Sequence, residues 1–110
     1  MEKGEKSMLV QTAFIECPPE SSEQVAAALI DVVGHVSANE PETVEYIVLR
    51  CDTEGADTLF TTIEHFRNQA ALDRHNASVA VAQFLDVAGP LLSTPITITL
   101  STQIAEKTKV

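Results

Sequence analysis

Three histidines, His35, His65 and His75, are the side chains of this chain best suited to exchange protons near neutral pH. Glu64 stands eleven positions before His75, and a carboxylate next to an imidazole can orient it, hold its charge or act beside it as an acid or base. His75 lies three residues after Leu72, close to an apolar stripe, so it reads either as a boundary residue with one hydrogen bond or as a buried base. Glu64 falls in phase with Phe60 and Phe66. If that face meets helices the carboxylate is partly desolvated; otherwise Arg67 or Arg74 pairs with it. His65 is out of phase with the same residues, which places it at a rim or interface unless it shares the chemistry. Tyr46 can donate to a ligand oxygen, or simply keep its hydroxyl at a rim. Phe14, Phe60 and Phe84 can wall a slot for a flat ring, or be ordinary core. His35 reads as a solvated boundary residue, and Asn76 as helix surface or pocket rim.

Other chemistries find no residues. The chain has no GxGxxG loop, and no His/Cys/Asp cluster at metal-ligand spacing, so a site without cofactor or metal contradicts nothing in the sequence. Cys17 and Cys51 lack CxxC spacing. They are expected at the ends of two parallel strands separated by a third, about 10 Å apart, too far for a disulfide, and hence as free thiols. Sixteen acidic residues against seven basic ones give a net charge of −9, a field that repels nucleic acid and anionic membranes. Residues 1–6 alternate in charge and precede only a short apolar run, which is not a secretory leader, and no stretch reaches membrane-spanning length. A cytoplasmic protein is expected.

The elements that must carry these residues follow from periodicity. Residues 8–17, rich in Val, Ile, Phe and Thr and closed by Pro18-Pro19, predict a strand. Ser21 and Gln24 have capping-box spacing, and Val25, Ala28, Leu29, Val32 and Val36 continue at helical spacing to Asn39. After the break at Glu40-Pro41-Glu42, residues 43–52 and 57–67 predict two strands joined by a turn at Thr53-Glu54-Gly55-Ala56. Asn68 and Ser78 are N-cap residues for two consecutive helical stretches that end at Gly89-Pro90. Residues 94–102 alternate Ile96, Ile98 and Leu100 with hydroxyl side chains, a half-buried strand. A flexible segment (1–7) and a polar tail (103–110) flank one domain of residues 8–102. The order βαββαβ is that of an α+β, ferredoxin-like antiparallel sheet with its helices on one face. The other face is left bare, carrying either Ile96, Ile98 and Leu100 or Leu59, Thr61, Ile63, His65 and Arg67. A bare apolar face in a chain of 110 residues predicts a homodimer through the sheet.

Glu64-His65-Phe66, Ala71-Leu72, His75 and Ser78, with Pro41-Glu42-Thr43 and Tyr46 upstream, resemble the antibiotic biosynthesis monooxygenase family over residues 8–102. The resemblance implies a dimeric α+β barrel and a small oxygenase that oxidises electron-rich phenols, anthrones or quinols, including aromatic polyketides, with O2 and without flavin, haem or metal. It also implies His75 as base, with Glu64 and His65 assisting, and Phe66, Tyr46, Phe84, Thr12, Phe60 and Asn76 shaping the substrate site. Two positions depart from the family. Phe66 stands where many relatives have Trp, keeping the ring but not the N–H donor, and the first strand offers Gln11 and Thr12 where haem-degrading relatives have Asn. The same fold also hosts cyclases and isomerases that need an acid–base pair but no oxygen, and small-molecule-binding dimers in which His75 would be packed into a filled core.

Overall fold

The computed structural model describes residues 8–107; the expected N-terminal segment and the last three residues of the expected tail lie outside them. Four strands, β1 (Leu9–Cys17), β2 (Thr43–Cys51), β3 (Thr58–Phe66) and β4 (Thr97–Thr102), form one antiparallel sheet in the order β2-β3-β1-β4. Three helices, α1 (Ser22–Asn39), α2 (Gln69–Asn76) and α3 (Val79–Ala88), complete the ferredoxin-like α+β arrangement.

β3 shows how sequence selects the two faces. Its inward residues, Thr58, Phe60, Thr62, Glu64 and Phe66, are all buried, and those between them are partly exposed, the period of two of a strand covered on one side. The register sets Phe60 opposite Ile15, Thr62 opposite Ala13 and Glu64 opposite Gln11 and Tyr46, so these residues share the helix-covered face. Val25, Leu29, Val32 and Val36 of α1 and Phe84 and Ala88 of α3 pack with Ala13, Ile15, Cys17 and Phe60 into the larger apolar cluster. A smaller cluster, Phe66, Ala71 and Leu72 with Leu9 against it, lies at the other end of the strands. Between the two, the inward positions are polar: Gln11, Thr62 and Glu64, joined by His75 from α2, all buried.

The helix starts divide. Asn68 Oδ1 accepts from the Ala71 amide, and Ser78 Oγ from the Val81 amide, as expected. The capping box at Ser21 does not form. Pro19–Ser21 make a 3-10 turn that holds Ser21 in a helical backbone conformation, and its hydroxyl accepts no cap bond. In the β2–β3 connection the Ala56 amide donates to the Thr53 carbonyl, and Gly55 takes φ +80°, a conformation glycine adopts without the Cβ penalty. Cys17 is buried, Cys51 exposed, and both are free.

The last strand differs from expectation. β4 starts at Thr97, and all six of its residues are exposed. Ile98 pairs opposite Ala13 and Leu100 opposite Gln11, so both are on the helix-side face rather than the bare one. They remain accessible because α1 and α3 pack over the other strands and not over this edge. The bare face carries the other expected set, Leu59, Thr61, Ile63 and His65 of β3, together with Phe14 of β1 and Ile47 and Leu49 of β2. Phe14 is 40% exposed there, and so is neither core nor slot wall. Past β4, the Gln103 amide still donates to the Met8 carbonyl, and Gln103 Nε2 donates to Glu106.

Candidate functional site

His75 is 2% exposed and sits between two buried carboxylates. Its Nδ1 is 3.0 Å from Glu40 Oε1 and 3.2 Å from Oε2, and its Nε2 is 3.5 Å from Glu64 Oε1. A carboxylate only accepts, so the Nδ1–H donates to Glu40, which leaves the Nε2 edge to Glu64. The rings of Tyr46 and Phe66 each lie 5.3 Å from the imidazole, centroid to centroid. Three elements therefore fix the ring: the end of α1 through Glu40, the face of β3 through Glu64 and Phe66, and β2 through Tyr46.

Each carboxylate has a full set of donors. Glu40 also accepts from Thr43 Oγ1 at 2.8 Å. Glu64 accepts from Gln11 Nε2 at 2.9 Å and Thr62 Oγ1 at 2.6 Å. Gln11 in turn exchanges hydrogen bonds with the Asn76 amide, 3.0 and 3.2 Å. No buried side-chain polar atom among the described residues is left without a partner, so the network is held rigidly rather than strained. Burial above all, then the charge of Glu64 and the hydrogen bond to it, and last the charge of Glu40, push the Tyr46 phenol well above its ordinary value. Tyr46 is thus a neutral donor beside an anion.

A cavity of about 110 Å³ opens beside this group. His75, Glu64, Tyr46, Gln11 and Asn76 form its polar end, and Ala13, Ile15, Leu29, Phe84 and Ile98 its apolar walls. Leu85 and Ile98, 48% and 59% exposed, stand at its rim with Val81.

Of the residues singled out in the sequence, His75, Glu64, Tyr46, Phe84 and Asn76 come together around the cavity. Phe66 packs on His75 in the smaller apolar cluster, and Phe60 lies inside the larger one; neither lines the cavity. Thr12 and His65 are not brought to the site. Both project from the bare face, where Thr12 is paired with Ile63 and His65 Nε2 approaches Glu45 at 3.7 Å, because each is one residue out of phase with Gln11 and Glu64. Glu64 pairs with neither arginine, and Arg74 instead holds Glu42 at 3.1 Å.

Glu40 was not singled out. One sequence signal marks it: the residue closes α1, where the helix dipole disfavours a negative charge, so a carboxylate there calls for a cation or donor from elsewhere. Because His75 presents its two ring nitrogens to opposite sides, the carboxylates stand apart rather than converge on one point, and no group of three or more metal-ligating side chains occurs among the described residues.

The sequence model of the antibiotic biosynthesis monooxygenase family matches residues 8–87. Among solved structures, a candidate antibiotic biosynthesis monooxygenase from Caulobacter crescentus superposes with a TM-score of 0.80 at 17% identity, covering 90% of this chain and 92% of its own. A Mycobacterium tuberculosis protein gives 0.78 at 20% identity, covering 93% and 100%. A Pseudomonas aeruginosa protein gives 0.76 at 25% identity, covering 90% and 96%. No curated protein matches the chain in sequence.

Proposed function

Since the chain belongs to the antibiotic biosynthesis monooxygenase family, we propose that it is a cofactor-independent monooxygenase acting on an electron-rich aromatic substrate, an anthrone, quinol or aromatic polyketide. The observation that carries the reading is the buried His75, clamped at Nδ1 by Glu40 and turning its Nε2 edge to Glu64, with both His75 and Glu64 lining the polar end of a cavity whose other walls are apolar. A packed structural histidine would meet filled core there.

The chemistry needs little else. The Nε2–Glu64 edge takes the proton from an acidic C–H or O–H, and the apolar walls exclude water that would quench the anion. The resulting carbanion, delocalised over aromatic rings, passes one electron to O2, and recombination of the radical with superoxide forms the C–O bond. The peroxide takes up the proton held at the site. For an anthrone methylene, cleavage of O–O with loss of the second C–H then yields the ketone and water, so O2 is the only co-substrate. Asn76 supplies a donor to the developing phenolate oxygen, and Tyr46, kept neutral, joins it by turning its single O–H from Glu64 to the substrate. Phe66 packs at a tilt of 42° against His75 in place of an indole, giving the ring a wall but no hydrogen bond. About 110 Å³ is below the usual 300–1,000 Å³ of ligand pockets, so the cavity takes the reacting ring while the rest of a polycyclic substrate lies at the rim of Val81, Leu85 and Ile98.

The bare sheet face, with Phe14, Ile47, Leu49 and Ile63 side by side, supports a homodimer in which a second copy covers it. Oxygen uptake with an anthrone or hydroquinone tests the activity. Uptake by the wild type, lost in His75→Gln, is the expected result; equal rates remove His75 from the mechanism. Substrate turnover without oxygen would replace the reading with an isomerase or cyclase built on the same acid–base group.

A further inference from the structure

The contacts around His75 do not end at Glu40. Glu40 Oε2 is also 3.4 Å from His35 Nε2, on α1. Together the four side chains make a line, His35, Glu40, His75 and Glu64, with successive separations of 3.4, 3.0 and 3.5 Å. Their side-chain exposures, 32%, 7%, 3% and 4%, fall steeply after the first member. His35 is thus the one member of the line in contact with water. It opens into a groove of about 680 Å³ between α1 and α3, which Asp31 and Asp86 also line. Val32 and Phe84 stand between this groove and the substrate cavity, lining both, and the buried line joins the two.

We propose that His35 is the solvent end of a proton relay, through which the protonation state of His75 and Glu64 equilibrates with water whether or not a substrate occupies the cavity. Imidazole suits the position because it gains a proton at one nitrogen as it gives one up at the other. Asn39 Nδ2 lies 3.2 Å from His35 Nδ1, which turns the Nε2–H toward Glu40, an acceptor. When a proton arrives from water at His35 Nδ1, the Nε2 proton passes to Glu40 Oε2, which also lies 3.2 Å from His75 Nδ1 and hands the proton on when the His75 imidazole carries its hydrogen at Nε2 and Nδ1 is free to accept. The reverse sequence carries a proton out. Each hop breaks one N–H or O–H bond as the next forms. The long contacts at either end of the line are of the kind that shorten when a ligand closes the site. Asp31, one turn earlier on the same helix, and Asp86 from α3 line the groove with His35, and Glu40 is its contact on the buried side.

This inference rests on His75 being the proton acceptor of the proposed reaction, and the experiment separates the two. The probe is the His75 ring Nδ1–H, followed by 15N NMR for its exchange with water, with no substrate present. His35→Ala suits the helix interior, since Ala has the highest helix propensity, and circular dichroism verifies the fold; His35→Gln serves as a second variant should the first not fold. Removal of His35 is expected to slow the exchange roughly 10- to 100-fold, toward the contribution of a positioned acid–base group, and free imidazole, entering the groove, is expected to restore it. Unchanged exchange overturns the proposal. So does slowed exchange that imidazole does not restore, because the histidine would then matter only for holding Glu40 in place. Absence of oxygen uptake by the wild type would remove the oxygenase reading and leave the exchange result standing.

Discussion

Glu40 and His75, thirty-five residues apart in the chain, meet at 3.0 Å with both side chains buried. Their pairing makes the end of α1 part of a site otherwise built from the sheet and α2. Glu40→Gln keeps the shape but can turn an N–H toward Nδ1, which selects the wrong tautomer of His75. Oxygen uptake is expected to fall by roughly 10²-fold or more, as removal of such orienting groups does elsewhere, with the far-UV circular dichroism unchanged.

His75→Ala leaves two buried carboxylates without the imidazole between them. Breaking a buried charged network by removing one partner costs about 3–5 kcal/mol. Urea unfolding is expected to show a loss in that range, and His75→Gln, which still donates to one carboxylate, a smaller one.

Tyr46 is the only tyrosine in the chain, so alkaline titration of tyrosinate absorbance reads it alone. The native state holds the phenol above its ordinary value of 10.0. The unfolded chain ionises near that value, so stability is complete below it and declines as pH rises above it, by about 1.4 kcal/mol per unit. The absorbance is expected to appear only together with unfolding. A separate titration near pH 10 in the folded protein would refute the burial.

The two thiols differ. Burial raises Cys17 above its ordinary value, with Asp57, Glu20 and Asp52 adding in that order, while Cys51 is exposed. Mild alkylation of the native protein followed by mass spectrometry is expected to label Cys51 alone, and Cys17 only in denaturant.

Ile63 lies near the centre of the bare face, opposite both Thr12 and Ile47. Ile63→Lys is expected to shift the protein from dimer to monomer in sedimentation equilibrium without changing its secondary structure. A wild type that sediments as a monomer would refute the dimer.

Much of this was legible in the chain. Period-two spacing told which residues of β3 would share a face with Glu64, and the side-chain oxygens of Asn68 and Ser78 marked both helix starts, since caps are local chemistry. What escaped was non-local. Nothing near Glu40 in sequence announces a histidine thirty-five positions away, and a single step of register decides that Gln11, and not Thr12, enters the site. Alternation in Ile98 and Leu100 gives the face of β4 correctly paired but says nothing of whether a helix lies above it. The capping box at Ser21 failed because Pro18-Pro19 impose a tighter turn first.

β4 has a consequence beyond the site. Its segment Thr97–Thr102, TITLST, contains no charge and no proline, and on one side its backbone has no neighbouring strand within the sheet. Natural proteins blunt such borders with lysine, proline or a bulge, because an open ladder of amides and carbonyls templates the addition of another extended chain. Strand addition at that border is the expected route of self-association at high concentration, and Thr99→Lys is expected to suppress it in light scattering.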